Sequence, residues 1–170
     1  GVGQVMEVWN CPRLNEVAES KPVRHDGRSL ALYFHGSINQ VRLPLSLLDA
    51  LKEAPEGVSL EFAGYETIGS QGYVASFMAR ADELGLARRV RHLGTVPGRR
   101  ELLEACRRAD IGLCLYGGGE IAEPNLRYMA KASNKPFDYL SQGLALCYDD
   151  TPQWRALFYT HELGWAFNLD

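Results

Sequence analysis

The chain has 170 residues, of which 46% are hydrophobic, so it can bury the core of one ordinary globular domain. Its 18 basic and 21 acidic residues give a formal net charge of −3, which excludes a strong overall field for nucleic acid or an anionic bilayer. No stretch approaches the roughly 20 apolar residues of a membrane span, and residues 1–9 lack a signal-peptide pattern. We therefore expect a soluble, cytoplasmic chain without a nucleic acid partner.

The cysteines and histidines do not indicate a metal site or a disulfide framework. Cys11, Cys106, Cys114 and Cys147 are far apart and form no Cys-x-x-Cys pair. The four histidines are scattered, with no spacing that would bring two ligands onto one helix face. We predict buried free thiols and no metal bound by this chain alone.

The first 28 residues differ in pattern from the rest. A short apolar run at 5–9 leads into Asn10-Cys11-Pro12, and residues 13–28 are polar with turn signals. This pattern is typical of the tail of a preceding region, and we separate residues 1–28 from the rest. Residues 29–170 are then one domain.

Strand and helix patterns alternate from residue 29 onwards. Four buried strands are predicted, at Leu30–His35, Val58–Ala63, Val90–Leu93 and Ile111–Tyr116. Helices separate them, the first with Leu45, Leu48 and Leu51 at helical spacing.

The last third of the chain continues this alternation. In chain order we predict a surface loop at Gly117-Gly118-Gly119, an irregular or weakly helical stretch at 120–131 and a helix from Ser133 or Asn134 to Gly143. A buried strand follows directly, and a further helix over 152–163 precedes residues 165–169.

Apolar runs that do not alternate, separated by helices, are typical of a parallel sheet covered on both faces. Right-handed crossovers then give an α/β fold with a Rossmann-like, doubly wound parallel sheet in a three-layer α/β/α sandwich. In such sheets, ligands bind beyond the carboxyl ends of the strands. The turns after the predicted strands should therefore meet at one edge.

The helix that begins near Asn134 has the pattern of an anion site. Pro136 is tolerated in a first helical turn because amides there have no partner within the helix. These amides, the helix dipole and Lys135 together suit a phosphate. Asp138, about one turn further on, could accept hydrogen bonds from a sugar hydroxyl.

The turn after the first strand is the second candidate. Gly36 would let a ligand approach the backbone, and Ser37 and Arg42 lie close to it in sequence, although a tight turn and a solvated arginine are equally open readings. The chain has no Gly-x-Gly-x-x-Gly fingerprint after a strand and no Walker motif. It also has no Gly-x-Ser-x-Gly motif, so covalent catalysis has no support.

Three motifs resemble a known family. Asp110-Ile111-Gly112-Leu113, Asn125-Leu126-Arg127-Tyr128 and the run Asn134 to Gly143 are similar to the donor-binding half of retaining glycosyltransferases of the GT-B architecture, group 1 type. Tyr33 to Ser37 and Arg89 to Val96 fit the same order, so the resemblance covers nearly the whole chain.

The resemblance implies a nucleoside-diphosphate sugar as donor, carrying UDP or GDP, with no metal or other cofactor. Arg42 and Lys135 would be the catalytic residues that stabilise the leaving diphosphate, and Asp138 would hold the ribose. The remaining donor-binding positions would be Gly36, Ser37, Gly64, Thr95, Val96, Ser133 and Asn134, with the base near Thr95 and Val96.

The resemblance also implies an N-terminal acceptor domain as a partner, without which this fragment would bind donor but not turn over. Residues 1–28 would be the end of that domain and the interdomain linker, and 29–170 would be the donor-binding domain, truncated at its C-terminal end. Peripheral association of the full-length protein with the cytoplasmic membrane face stays open. The first acidic residue of the family's pair falls on Ala130 or Lys131 here, and Ser37 stands where an arginine is common. A catalytically degenerate GT-B-like scaffolding module is therefore the second hypothesis, and a nucleotide-sugar epimerase of this architecture is the third.

Overall fold

Six strands form one sheet in the computed structural model, which describes residues 3, 6, 8–19, 28–116 and 129–167. The strands are β1 Leu30–Ile38, β2 Val58–Glu66, β3 Val90–His92, β4 Ile111–Cys114, β5 Ala145–Asp149 and β6 Gly164–Phe167. They pair in parallel in the order β3-β2-β1-β4-β5-β6. This is the Rossmann order, in which the chain reverses direction across the sheet between β1 and β4. The predicted fold class is confirmed.

Helices cover both faces of the sheet. They are α1 Ser46–Glu53, α2 Tyr73–Glu83, α3 Arg99–Arg107, α4 Met129–Ala132, α5 Lys135–Ser141 and α6 Pro152–Trp154, with a 3₁₀ turn at Leu14–Glu16 and a π-helical turn at Arg155–Tyr159. Successive side chains of a strand point to opposite faces. Tyr33 of β1 accordingly packs with Cys106 of α3 and Tyr139 of α5, whereas Phe34 packs with the cluster under α1 and α2.

Several predicted boundaries are wrong, and pairing between strands explains the largest error. β1 and β2 each run three residues further than predicted, because their register continues from Leu30 opposite Val58 to Ile38 opposite Glu66. In contrast, β4 ends at Cys114, two residues early. Leu45 lies before α1 and is exposed, while Leu48 and Leu51 are buried as expected.

The helix predicted over 152–163 is also wrong in its second half. Only α6 and the π-helical turn are helical, and Glu162 has a left-handed φ of 53°. The Leu163 amide then donates to the Phe158 carbonyl at 3.1 Å. This reversal ends the helix so that β6 can begin at Gly164 and pair with β5.

Residues 8–19, called here the N-terminal segment, lie along α4 and α5. Asn10 donates to the Ala132 carbonyl at 2.9 Å, and Gln142 donates to the Glu16 carbonyl at 2.7 Å. Trp9 packs against Phe137 with ring centroids 5.8 Å apart. The segment therefore forms a wall beside the start of α5.

The four cysteines are free thiols. Cys106 and Cys114 are buried as predicted, and Cys147 is half-buried. Cys11 is exposed because the N-terminal segment lies on the outside of the domain, so the prediction is wrong there. Among the described residues, no helix combines the length and the hydropathy needed to cross a bilayer.

Candidate functional site

Two glycines lie close together near the ends of β1 and β2, where their missing side chains leave the backbone accessible. Gly36 and Gly64 are register partners on β1 and β2, with φ values of 121° and 145°. A Cβ atom on Gly64 would lie 1.8 Å from the Gly36 carbonyl oxygen, and one on Gly36 would lie 2.9 Å from Cε of Lys135. The missing side chain of Gly64 lets the two strands stay paired, and that of Gly36 lets Lys135 lie against the backbone of β1.

Lys135 is a buried cation. It is 6% exposed, and its Nζ lies 5.0 Å from the ring centroid of Phe34 and 4.9 Å from that of Tyr116. Nζ also lies 3.5 Å from the Tyr116 hydroxyl, which accepts its hydrogen bond. Burial, and then the nearby charge of Arg42, lowers the pKa of Lys135 to about 8.

Arg42 completes a cationic pair. Its guanidinium donates to the Ser37 hydroxyl and lies 5.9 Å from the Tyr116 ring centroid. No carboxylate in the part of the chain that the structure describes forms a salt bridge with Arg42 or Lys135. Two neighbouring cations, one of them desolvated, form a site that favours an anion such as a diphosphate.

Ser133 and Asn134 lie at the start of α5. The Ser133 hydroxyl is hydrogen-bonded to the Tyr116 hydroxyl and accepts a hydrogen bond from the Lys135 amide at 3.3 Å. Ser133 is buried, whereas Asn134 is exposed and makes no side-chain cap. Ser133 therefore holds the tyrosine that faces both cations.

Asp138, one turn after Lys135, has its carboxylate fully engaged. It is 1% exposed and accepts two hydrogen bonds from Arg99, from Nη1 to Oδ2 at 2.9 Å and from Nη2 to Oδ1 at 2.7 Å. His35 Nε2 lies 3.3 Å from Oδ2. Burial raises the pKa of Asp138, but the bonds from His35 and Arg99 outweigh it and lower the pKa, so the group is ionised at neutral pH.

His35 supports Asp138 from inside the fold. Burial lowers the pKa of His35, so the ring is neutral at pH 7. Its Nδ1 lies 3.6 Å from Cys106 Sγ, and its backbone amide donates to the Tyr139 hydroxyl at 3.1 Å. With Nδ1 facing the thiol, the ring proton belongs on Nε2, from which it is donated to Asp138.

An open cavity of about 520 Å³ lies beside Asp138. Its walls are the N-terminal segment and the starts of α3 and α5, with the lining residues Asn10, Cys11, Arg13, Glu16, Arg99, Asn134 and Asp138. Glu16 accepts a hydrogen bond from Arg99 Nε at 3.0 Å. Arg99 and Glu16 were not among the residues predicted from the sequence, although Arg99 follows the turn after β3 and so belongs to the same edge.

The structure brings most of the sequence-predicted site residues together in two groups. One holds Gly36, Ser37, Arg42, Ser133 and Lys135, and the other holds Asn134 and Asp138 at the cavity. Thr95 joins the edge through its hydroxyl, which donates to the Gly64 carbonyl at 3.3 Å, and Val96 packs on the core cluster that contains Tyr139.

Position 130, where the resemblance led us to look for an acidic residue, carries an alanine. Ala130 is buried at 2% exposure, and the loop predicted at 117–119 and the motif at 125–128 lie outside the described residues. No cluster of His, Cys, Asp or Glu suited to a metal ion occurs where the structure is described.

The fold has close counterparts among solved structures. Neither a protein-family model nor a curated protein sequence matches the chain. The C-terminal domain of the glycosyl transferase group 1 family protein LpcC from Francisella tularensis aligns with a TM-score of 0.61 at 13% identity, over 82% of this chain and 67% of that one. The fold is that of a GT-B glycosyltransferase C-terminal domain.

Two longer structures align in the same way. Anabaena HepE in complex with UDP has a TM-score of 0.56 at 17% identity, over 77% of this chain and 32% of that one. The UDP-forming α,α-trehalose-phosphate synthase from Burkholderia vietnamiensis has a TM-score of 0.54 at 12% identity, over 76% and 32%. The structural alignments establish the shared fold, and at identities this low they establish the fold alone. The chain spans about a third of the length of each of these two proteins.

Proposed function

We propose that this chain is the donor-binding domain of a glycosyltransferase that uses a nucleoside-diphosphate sugar. The observation that carries the proposal is the pair Arg42 and Lys135, which no described carboxylate neutralises, at the sheet edge where β1 and β4 diverge. Asp138 lies one turn further along α5, as a ribose-binding group next to a diphosphate site would. HepE, which shares the fold, was crystallised with UDP and with UDP-glucose.

The two cations would act on the leaving group. When the bond between the anomeric carbon and the diphosphate breaks, negative charge builds on the diphosphate oxygens. Arg42 and Lys135 would stabilise that charge, and the burial of Lys135 would strengthen the effect. We propose that the reaction needs no nucleophile from this chain and that a further domain binds the acceptor, in the cytoplasm or at the membrane face.

Thermal stabilisation tests the proposal directly. UDP, GDP and ADP are added separately to the chain, and the melting temperature is measured. A ligand at about a hundred times its dissociation constant adds roughly 2.7 kcal/mol, or about 5–10 °C for a domain of this size. One of the three diphosphates should give such a shift, which would identify the base of the donor nucleotide. If none moves the melting temperature at millimolar concentration, the proposal fails.

A loss of affinity at alkaline pH is expected if Lys135 binds the diphosphate. Its pKa is about 8, so between pH 7 and pH 9 the free protein loses this charge. Tyr116 and Cys114 beside it have pKa values raised by burial and stay neutral in this range. Calorimetric affinity for the diphosphate that binds should fall by about tenfold across this window. The variant Lys135→Arg should show a flat profile, and an equal decline in both proteins would contradict the assignment.

A second candidate function is a binding module without catalysis. It is favoured by Ala130, which is buried in the apolar cluster where the family's first acidic residue is expected. Replacing Arg42 and Lys135 in the full-length protein would leave the function of such a module intact. Loss of sugar transfer in that double variant would reject this candidate.

A further inference from the structure

Arg99 covers the edge of Asp138 that faces the cavity. Its two terminal nitrogens each donate to a different carboxylate oxygen, at 2.7 and 2.9 Å. The two partners differ in accessibility, since the Arg99 side chain is 40% exposed and that of Asp138 is 2% exposed. The guanidinium is therefore the partner that can leave, while the carboxylate stays in place.

A ribose would need the same edge. A vicinal diol presents two neighbouring O–H donors, and a guanidinium fork presents two neighbouring N–H donors, so both bind a carboxylate through its two oxygens at once. His35 approaches Oδ2 from inside the fold and is held by Tyr139 and Cys106. His35 can keep its hydrogen bond to Asp138 when the ribose diol replaces Arg99 on the outer side of the carboxylate.

We propose that Arg99 and the ribose diol compete for Asp138, so that Arg99 determines how strongly the site prefers a nucleoside diphosphate to a diphosphate alone. This inference rests on the proposed function. Glu16 of the N-terminal segment already accepts from Arg99 Nε at 3.0 Å and gives the guanidinium a partner when it leaves Asp138. The diphosphate half of the site, around Arg42 and Lys135, is not part of this exchange.

Calorimetric titration of UDP and of inorganic pyrophosphate into the wild-type chain and into Arg99→Gln tests the competition. The variant removes a positive charge, so simple electrostatics predicts weaker binding of both anions. The exchange predicts that the dissociation constant of UDP instead falls about fivefold, because charge-assisted bonds no longer have to be broken, while that of pyrophosphate changes little. Arg100→Gln is the matched control: its side chain is 83% exposed and pairs with Glu104 of the same helix, so neither constant should change.

Each other outcome decides against the inference. If Arg99→Gln binds UDP as weakly as the wild type or more weakly, Arg99 is a spectator or a direct contact of the ligand, and the competition is refuted. If the wild type binds neither pyrophosphate nor any of UDP, GDP and ADP, the proposed function itself fails; if it binds GDP or ADP and not UDP, that diphosphate takes the place of UDP in the titration. Where Arg99→Gln does not fold, Arg99→Lys keeps the charge without the fork, and it should still bind UDP more tightly than the wild type.

Discussion

Replacing Lys135 by methionine is expected to make the chain more stable and, at the same time, to weaken its binding of a nucleoside diphosphate. Burial lowers the pKa of Lys135 from 10.5 to about 8, so keeping it charged at pH 7 costs the folded state about 3 kcal/mol. That cost applies fully below pH 8 and disappears as the pH rises towards 10.5, because the unfolded chain binds the proton more tightly. Methionine has a similar length, suits the aromatic surroundings and removes the cost.

The same substitution removes half of the cationic pair. Loss of a buried charge that contacts the diphosphate should weaken binding by about a hundredfold, while the midpoint of urea unfolding rises. Lys52→Met is the control, since Lys52 is exposed on α1, and it should change neither quantity. A Lys135→Met protein that is less stable, or that binds as the wild type does, would show that Lys135 is a structural residue.

Replacing Gly64 by alanine is expected to cause the largest loss of stability among single substitutions at the sheet edge. Its φ of 145° is strained for any residue with a side chain, and the new Cβ would lie 1.8 Å from the Gly36 carbonyl oxygen. Neither backbone can move without breaking the β1–β2 register. The free energy of unfolding should fall by about 3–4 kcal/mol.

Gly69→Ala separates the two causes of that loss. Gly69 also has a positive φ, of 88°, but a Cβ there would meet nothing within 4 Å. It should lose about 1 kcal/mol, from backbone strain alone. Equal losses for the two variants in urea denaturation would mean that β1 and β2 are not in tight contact at Gly36 and Gly64.

The strands were predictable from the sequence because buried parallel strands are nearly continuous apolar runs. Gly36 and Gly64, however, were interpreted as strand ends, whereas β1 and β2 continue beyond them. A local pattern cannot show that two glycines will be register partners whose missing side chains let the strands stay together. The start of α5 was predictable, because tolerance of Pro136 in a first turn depends only on local geometry.

The surroundings of the site residues were less predictable than their identities. Lysine is mostly exposed in proteins, and the burial of Lys135 depends on the open backbone at Gly36, far away in sequence. The pairing of Asp138 with Arg99 and His35 joins three separate elements, α5, α3 and β1. The rule that the carboxyl ends of parallel strands share one edge predicts that these elements meet, but it does not predict which side chains form hydrogen bonds there.

Amide chemical shifts of the isotope-labelled chain can show directly where the nucleoside diphosphate binds, with whichever of UDP, GDP and ADP stabilises the chain. We expect the largest changes at Gly36 and Ser37 and over 133–138, where the diphosphate and ribose would lie. Changes in the Arg99 side-chain signals should accompany them as the guanidinium leaves Asp138. If the nucleoside diphosphate that stabilises the chain leaves these amides unchanged at saturation, or shifts mainly the β6 edge of the sheet, the donor site does not lie where β1 and α5 meet.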